Sequence, residues 1–122
     1  MELNLILKIY ITDGQGRKFM GIGMLWLLEH IQRHGSILNA AKQMKISYSK
    51  AYHMLTVLES ALGRQVVIRE KGGSSRKGTR LTPLGIQLIS RYTQFQDQVK
   101  SQAEQVFAGF VADVKELTDA YE

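Results

Sequence analysis

Residues 36–63 contain two short helix-forming segments, each with its own start and stop signals. The sequence there reads SILNAAKQMKISYSKAYHMLTVLESALG. Ser36 and Ser47 are suited to cap the amino termini of the two helices, and Gly63 is suited to end the second one. Apolar residues recur at helical spacing: Ile37, Ala40, Ala41 and Met44, then Ala51, Met54, Leu55, Leu58 and Leu62. Because two helices joined by so few residues must cross steeply, the segment predicts a helix-turn-helix.

The sequence on either side predicts a winged form of this motif. GIGMLWLLEHIQRHG has its apolar residues at helical spacing and predicts a preceding helix that ends at Gly35. After Gly63, QVVIRE (65–70) reads as a strand, KGGSSRKGT as a basic loop and RLT as a short returning strand. A hairpin in this place is a wing. The predicted fold class is therefore mainly α with small β hairpins.

A further hairpin is predicted at the amino terminus. NLILKIYIT, residues 4–12, alternates apolar and other residues, with Leu5, Leu7, Ile9 and Ile11 on one face. DGQG then supplies a turn before RKFMG. The alternation predicts a strand over most of residues 4–12.

The carboxy-terminal third predicts one long helix. Thr82 is a good cap and Pro83 suits the first helical position. One apolar stripe follows with an average step of 3.6 residues: Leu88, Tyr92, Phe95, Val99, Ala103, Val106, Phe110, Val114 and Leu117. A helix of about 25 to 35 residues would be roughly 38 to 52 Å long, so we expect a homodimer built on it. The alternative is a helix that folds back after Gly109. The predicted domains are residues 1–82, the amino-terminal hairpin with the winged helix-turn-helix, and residues 83–122, the long dimerisation helix.

The chain has 122 residues and a formal charge of +5, and the charge is unevenly distributed. Residues 42–80 hold nine basic and two acidic side chains, whereas residues 97–122 hold two and six. A basic block inside a folded chain favours a polyanion-binding surface. Cysteine is absent, which excludes disulfides and thiolate metal sites. No apolar stretch is long enough for a membrane span, and a cytoplasmic protein is expected.

The second helix of the motif offers a polar face without acids. No Asp or Glu occurs from His30 to Leu58. Such a face suits the major groove of double-stranded DNA, because hydroxyls, imidazole and lysine can contact base edges or phosphates. The capping serines and the wing add phosphate contacts. The candidate DNA-binding residues are Ser36, Ser47, Tyr48, Ser49, Lys50, His53, Arg69, Lys71, Ser74, Ser75, Arg76 and Lys77. Tyr48 and Tyr52 could instead simply pack.

Enzyme and cofactor motifs do not fit. GGSSRKGT lacks the spacing of a phosphate loop, and GQGRKFMG lacks the third glycine of a dinucleotide fingerprint. His30 and His34 are four residues apart, but no third metal ligand is evident nearby. No enzymatic activity and no cofactor are expected. Two alternatives to a sequence-specific regulator stay open: a protein-interaction module on a winged-helix scaffold, and a non-specific architectural DNA-binding protein.

Residues 20–95 resemble the amino-terminal domain of ModE, the molybdate-responsive regulator family, and more distantly the LysR-type winged helix. The ordered landmarks are GIG, GSILNAAKQMKISYSKAYHMLTVLE, the GG of the wing and LTPLGIQLI; LESALG with LTPLG resembles the LysR pattern. The resemblance implies a dimeric regulator that reads a palindromic operator, with residues 47–53 in the groove and residues 71–77 along the backbone. The 122 residues are expected to lack that family's oxyanion-binding domains.

Overall fold

The computed structural model describes residues 2–69 and 78–121, and four helices and two small hairpins lie within these ranges. The elements are β1 (Tyr10–Thr12), β2 (Lys18–Gly21), α1 (Ile22–His34), α2 (Ile37–Met44), α3 (Tyr48–Leu62), β3 (Val67–Arg69), β4 (Thr79–Leu81) and α4 (Pro83–Ala120). Residues 9–93 form one compact unit, and residues 1–8 with residues 94–122 form another. The predicted fold class, a winged helix-turn-helix with a long carboxy-terminal helix, is confirmed.

The four predicted caps, Gly35, Ser36, Ser47 and Gly63, lie at the ends of the first three helices. Ser36 Oγ accepts a hydrogen bond from the backbone N–H of Asn39 (3.1 Å), and Ser47 Oγ accepts one from that of Lys50 (3.0 Å). Gly35 and Gly63 end α1 and α3 in the left-handed conformation, which glycine adopts without steric cost. These local caps fix the lengths of α2 and α3, and therefore the place at which α3 emerges.

The turn between α2 and α3 is a tight left-handed cap. Lys45 adopts φ 58°, a conformation that is uncommon for a residue with a side chain. Its N–H donates to the Lys42 carbonyl (3.1 Å), and the N–H of Ile46 donates to the Ala41 carbonyl (3.0 Å). Both bonds close the end of α2, so only three residues separate α2 from α3.

The core of the unit formed by residues 9–93 lies between the three short helices and the wing. Its members are apolar and buried: Met20, Met24, Leu25, Leu27, Leu28, Ile31, Ile37, Ala40, Ala41, Ala51, Leu55, Leu58, Val66, Val67, Leu81 and Tyr92. Most predicted inward positions are among them, while Met44, Met54 and Leu62 are half-buried against this core. Burial of these side chains supplies the main driving force for folding.

The amino-terminal hairpin is shorter than predicted. β1 comprises only Tyr10–Thr12 and pairs antiparallel with β2, opposite Gly21, Met20 and Lys18, with an irregular register after Ile11. Residues 4–9 are not in a strand, so the prediction over them was wrong. The reason is that β2 has only four residues before α1 begins, and no strand within residues 2–69 and 78–121 lies opposite the residues upstream of Tyr10.

The wing is anchored to the helices at both of its described strands. β3 and β4 pair antiparallel, with Val67 opposite Leu81 and Arg69 opposite Thr79. The N–H of Thr79 donates to the Gly35 carbonyl (3.1 Å), which joins β4 to the α1–α2 connection. β3 (67–69) thus lies inside the predicted strand 65–70, whereas β4 (79–81) is shifted by one residue from the predicted strand RLT (80–82).

Helix α4 begins at Pro83 as predicted, with Thr82 Oγ1 accepting from the N–H of Gly85 (3.1 Å). The helix has 38 residues, or about 57 Å at 1.5 Å per residue, and is longer than predicted. It runs without interruption through Gly109, so the predicted alternative of a fold-back at that residue is wrong. The predicted division at residue 82 stays a prediction.

Candidate nucleic-acid interface

The exposed face of α3 is defined by the residues that the core does not use. Ala51, Leu55 and Leu58 are buried, and the opposite side of the helix carries polar and aromatic residues. Tyr48, Ser49, Tyr52, His53 and Thr56 line a shallow depression of about 440 Å³ on this side. We call these five residues the α3 face. Tyr48, Ser49 and His53 are three of the predicted DNA contacts, and the structure brings them together.

The amino terminus of α3 is suited to an anion. The first N–H groups of a helix have no intrahelical acceptor and carry positive partial charge. Ser47 is exposed, and its Oγ accepts a hydrogen bond from the Lys50 N–H. Its hydroxyl proton can therefore be donated to a phosphate oxygen. Ser36 holds the equivalent position on α2, but it is only 7% exposed, and its contact with DNA stays a prediction.

Arg69 lies over the α3 face although it comes from the wing. Its guanidinium carbon is 4.6 Å from the ring centroid of Tyr52, a cation–π contact. The Tyr52 ring in turn lies 6.1 Å from that of Tyr48, tilted by 40°. Tyr52 is not among the predicted DNA-binding residues. Its spacing of four residues from Tyr48 on a helix was a signal that the two rings share one face.

Lys50 lies on the other flank of α3. It is exposed, as predicted, but it lines a different depression, together with Trp26 and His30 of α1 and Met44 of α2. The predicted recognition residues therefore divide between two flanks of the helix. His53 and Ser49 belong to the α3 face, and Lys50 borders it.

The first carboxylate after the acid-free stretch has a structural role. Glu59 Oε2 accepts hydrogen bonds from the backbone N–H groups of Val66 (2.8 Å) and Val67 (3.4 Å). Glu59 is half-buried, and its bonds tie the end of α3 to the first residues of the wing. The Glu59 carboxylate therefore holds the start of the wing against α3 and does not line the α3 face.

The predicted contacts at the wing tip lie outside the described residues. They are Lys71, Ser74, Ser75, Arg76 and Lys77, and only Arg69 of the predicted wing contacts is placed. Arg69 is the last residue of β3 and is exposed. The structure therefore fixes the base of the wing beside α3.

Within residues 2–69 and 78–121, no group of three His, Cys, Asp or Glu side chains is arranged to hold a metal ion. His30 and His34 instead stack, with ring centroids 5.7 Å apart and nearly parallel planes. In the same part of the chain, no helix combines the length and apolar character that crossing a membrane requires.

These features together define a winged helix-turn-helix domain whose third helix exposes a face without carboxylates. The model of the family described as "Bacterial regulatory helix-turn-helix protein, lysR family" matches residues 22–86, more than half of the chain. The chain belongs to this family. The match begins at the first residue of α1 and ends in the first turn of α4, so it covers the helix-turn-helix and the wing.

Two of the relatives that the chain matches carry the name ModE. "Molybdenum transport protein ModE" of Azotobacter vinelandii is 33% identical over 75 residues, 62% of this chain and 28% of that protein. "Transcriptional regulator ModE" of Haemophilus influenzae is 38% identical over 66 residues, 54% of this chain and 26% of that protein. The matched region thus spans little more than a quarter of each relative, and the predicted resemblance to ModE and LysR proteins is confirmed.

Solved structures with the same fold include two DNA complexes. The structure described as "CbnR_DBD-DNA complex" matches with a TM-score of 0.58 at 20% identity, covering 74% of this chain and 98% of that one. Full-length CbnR with its target DNA matches with a TM-score of 0.57 at 20% identity, covering 73% and 29%. At this level of identity the likeness concerns the fold.

Proposed function

We propose that this chain is a sequence-specific, double-stranded DNA-binding transcription regulator that acts as a homodimer in the cytoplasm and has no catalytic role. The observation that carries the proposal is the α3 face: an exposed helical surface of hydroxyl, aromatic and imidazole side chains with a guanidinium beside it and no carboxylate. Family membership and the DNA complexes of proteins with the same fold support it.

The α3 face is suited to reading base edges. The major groove admits one α-helix, and each base pair presents a distinct pattern of donors and acceptors there. Ser49 and His53 are exposed and carry groups that can donate or accept hydrogen bonds. Tyr48 adds an apolar ring that can contact a thymine methyl group. These three residues are the proposed specificity determinants.

Phosphate contacts would position the helix without reading sequence. Ser47 and the free N–H groups at the start of α3 are suited to one phosphate. Arg69, held over Tyr52, would reach a second phosphate at the edge of the groove. Lys50, on the flank of α3, would contact the sugar-phosphate backbone on the opposite side.

The dimer is proposed to form through α4. Beyond its first three turns, from residue 94 to residue 120, four large apolar residues of this helix are exposed: Phe95, Val106, Phe110 and Leu117. At about 100° per residue they lie within roughly 60° of one another around the helix axis, so they form one narrow stripe. A second copy of the stripe would cover them, and two-fold symmetry would place the α3 helices in half-sites about 34 Å apart.

Fluorescence anisotropy with defined duplexes tests the proposal. A genome-wide occupancy map supplies the operator, and affinities for it and for a scrambled duplex are measured at several salt concentrations. We expect the operator to bind at least tenfold more tightly. His53→Ala should reduce this preference, whereas Arg69→Gln should weaken both duplexes and lower the salt slope by about 1.

Arg91→Gln is the matched control, because Arg91 is an exposed cation of α4 outside the α3 face. It should change neither quantity appreciably. Equal affinities for the two duplexes at all salts would refute sequence specificity and leave the architectural alternative. Absence of binding even at low salt would refute the DNA-binding proposal and favour the protein-interaction alternative.

A further inference from the structure

A groove rich in methionine lies on the flank of α3 that faces away from the α3 face. Two adjoining depressions share Gly23 and Met54 and together run from the β1–β2 hairpin across α1 to α2. Their lining includes Met20, Met24, Met44 and Met54, which are four of the five methionines in the chain. We call this surface the methionine groove.

The groove combines a buried floor with an exposed aromatic rim. Met20 and Met24 are core residues, while Met44 and Met54 are half-buried. Trp26, the single tryptophan of the chain, lines the groove and is 51% exposed. Exposing a tryptophan beside several methionines is unfavourable in water, and both residue types are enriched where proteins meet. Methionine side chains also adapt readily to different apolar partners.

The charges around the groove are of one sign. Lys18 lines one depression, with its Nζ 4.3 Å from the centroid of the Tyr10 ring, and Lys50 lines the other. Among the described residues that line either depression, none is an aspartate or glutamate. An apolar trough with a lysine toward each end is complementary to a segment that is apolar on one face and acidic at its edges.

We propose that the methionine groove binds an acidic amphipathic helix of another protein. Helices of this kind insert apolar residues at successive turns into a hydrophobic groove, and the methionines and Trp26 would receive these residues. Acidic residues of the partner would pair with Lys18 and Lys50. Because the α3 face is lined by other residues, such a partner and a DNA duplex would use different flanks of α3, with Lys50 bordering both.

A larger side chain at Gly23 can fill the methionine groove without displacing core residues. A Cβ atom added at Gly23 meets nothing within 4 Å, and the residue lies in the first turn of α1. Gly23→Leu should therefore fold, since leucine is also the better helix former, and should place its side chain in the groove. Gln87→Leu is the matched control: it adds a leucine at an exposed position of α4 that does not line the groove.

The probe is a fluorescein-labelled synthetic peptide of about 18 residues, long enough to form a helix. It has leucines at helical spacing, glutamates elsewhere and no tryptophan; a second peptide has lysines in place of the glutamates. For the parent protein we expect saturable binding of the acidic peptide, at least tenfold tighter than the lysine peptide, with a shift of Trp26 emission. Gly23→Leu and Trp26→Ala should each weaken binding at least tenfold, whereas Gln87→Leu should not.

The remaining outcomes overturn the proposal. Equal affinity for the two peptides, or undiminished binding by Gly23→Leu and Trp26→Ala, would show that the groove is not the site. If Gly23→Leu instead changes the molar mass of the protein in sedimentation, a second copy occupies the groove. Operator affinity measured on Gly23→Leu should stay within threefold of the parent, which separates failure of this proposal from failure of the DNA-binding proposal.

Discussion

Gly85 lies where the first turn of α4 passes closest to the wing. The N–H of Thr82 donates to the Val66 carbonyl (3.0 Å), which brings α4 against the start of β3. A Cβ atom on Gly85 would lie 2.4 Å from that same carbonyl oxygen, far inside van der Waals contact. The glycine of the LTPLG sequence is thus required by the approach of two backbones, not by an unusual backbone conformation.

Gly85→Ala should therefore destabilise the protein despite the better helix propensity of alanine. Overpacking typically costs about 1 to 3 kcal/mol, and replacing a helical glycine recovers at most about 1 kcal/mol. We expect a net decrease in the free energy of unfolding, measured by urea denaturation followed by circular dichroism. Gly23→Ala, where the added Cβ meets nothing within 4 Å, is the control and should cause no loss. Equal stability of the two variants would contradict the packing argument.

The contact between Tyr52 and Arg69 links α3 to the wing through two side chains. An exposed cation–π pair contributes about 0.5 to 1 kcal/mol. In a double-mutant cycle of Tyr52→Leu and Arg69→Gln, the unfolding free energies should show a coupling of this size. Tyr52→Phe keeps the ring and should retain the coupling. Strictly additive effects would mean that the two side chains do not interact in solution.

At the scale of elements, the β1–β2 hairpin depends on one carboxylate. Asp13 Oδ1 accepts from the backbone N–H groups of Gln15 (2.8 Å) and Arg17 (3.0 Å), and Oδ2 accepts from Arg17 Nε (2.8 Å). The backbone bond from Arg17 is the main cause that lowers the pKa of Asp13 below its ordinary value of 3.8. Ionised Asp13 therefore stabilises the turn.

This arrangement predicts a pH dependence of the hairpin. Because the pKa is lower in the folded state, the contribution of Asp13 is fully present above pH 3.8 and is lost as the pH falls through the folded-state value. The amide resonances of Gln15 and Arg17 should therefore shift together at a pH below 3.8. In Asp13→Asn this titration should be absent. A midpoint at or above 3.8 in the parent would contradict the inferred hydrogen bonding.

The capped helix ends were predicted well, because each of these ends is specified by residues within one turn of it. Ser36, Ser47 and Thr82 cap the helices that follow them, because a cap depends on residues within one turn. The extent of β1 was not predictable from alternation, since a strand is only as long as its partner. The pairing of Arg69 with Tyr52 and the bonds of Glu59 to β3 were also missed. They depend on where the wing meets α3 in space, and no sequence spacing encodes that.

At the scale of the whole molecule, the proposed function requires two copies, and α4 is the element on which a dimer can be tested. Its exposed stripe of Phe95, Val106, Phe110 and Leu117 includes two aromatic side chains. Aromatic residues contribute strongly to interfaces when they are covered. A carboxylate placed within the stripe would have to be desolvated on dimerisation, whereas the same carboxylate on the opposite face of α4 would stay in water.

Phe110→Glu should therefore weaken the dimer at least tenfold, equivalent to about 1.4 kcal/mol, as measured by analytical ultracentrifugation over a range of concentrations. Ala108→Glu introduces the same charge on an exposed position roughly 160° away around the helix and should leave the dimer intact. Phe110→Glu should also lose affinity for an operator with two half-sites while binding a single half-site as the parent does, because its α3 face is unchanged. A parent protein that stays monomeric, or a Phe110→Glu variant that dimerises like Ala108→Glu, would show that the stripe on α4 does not join the two copies.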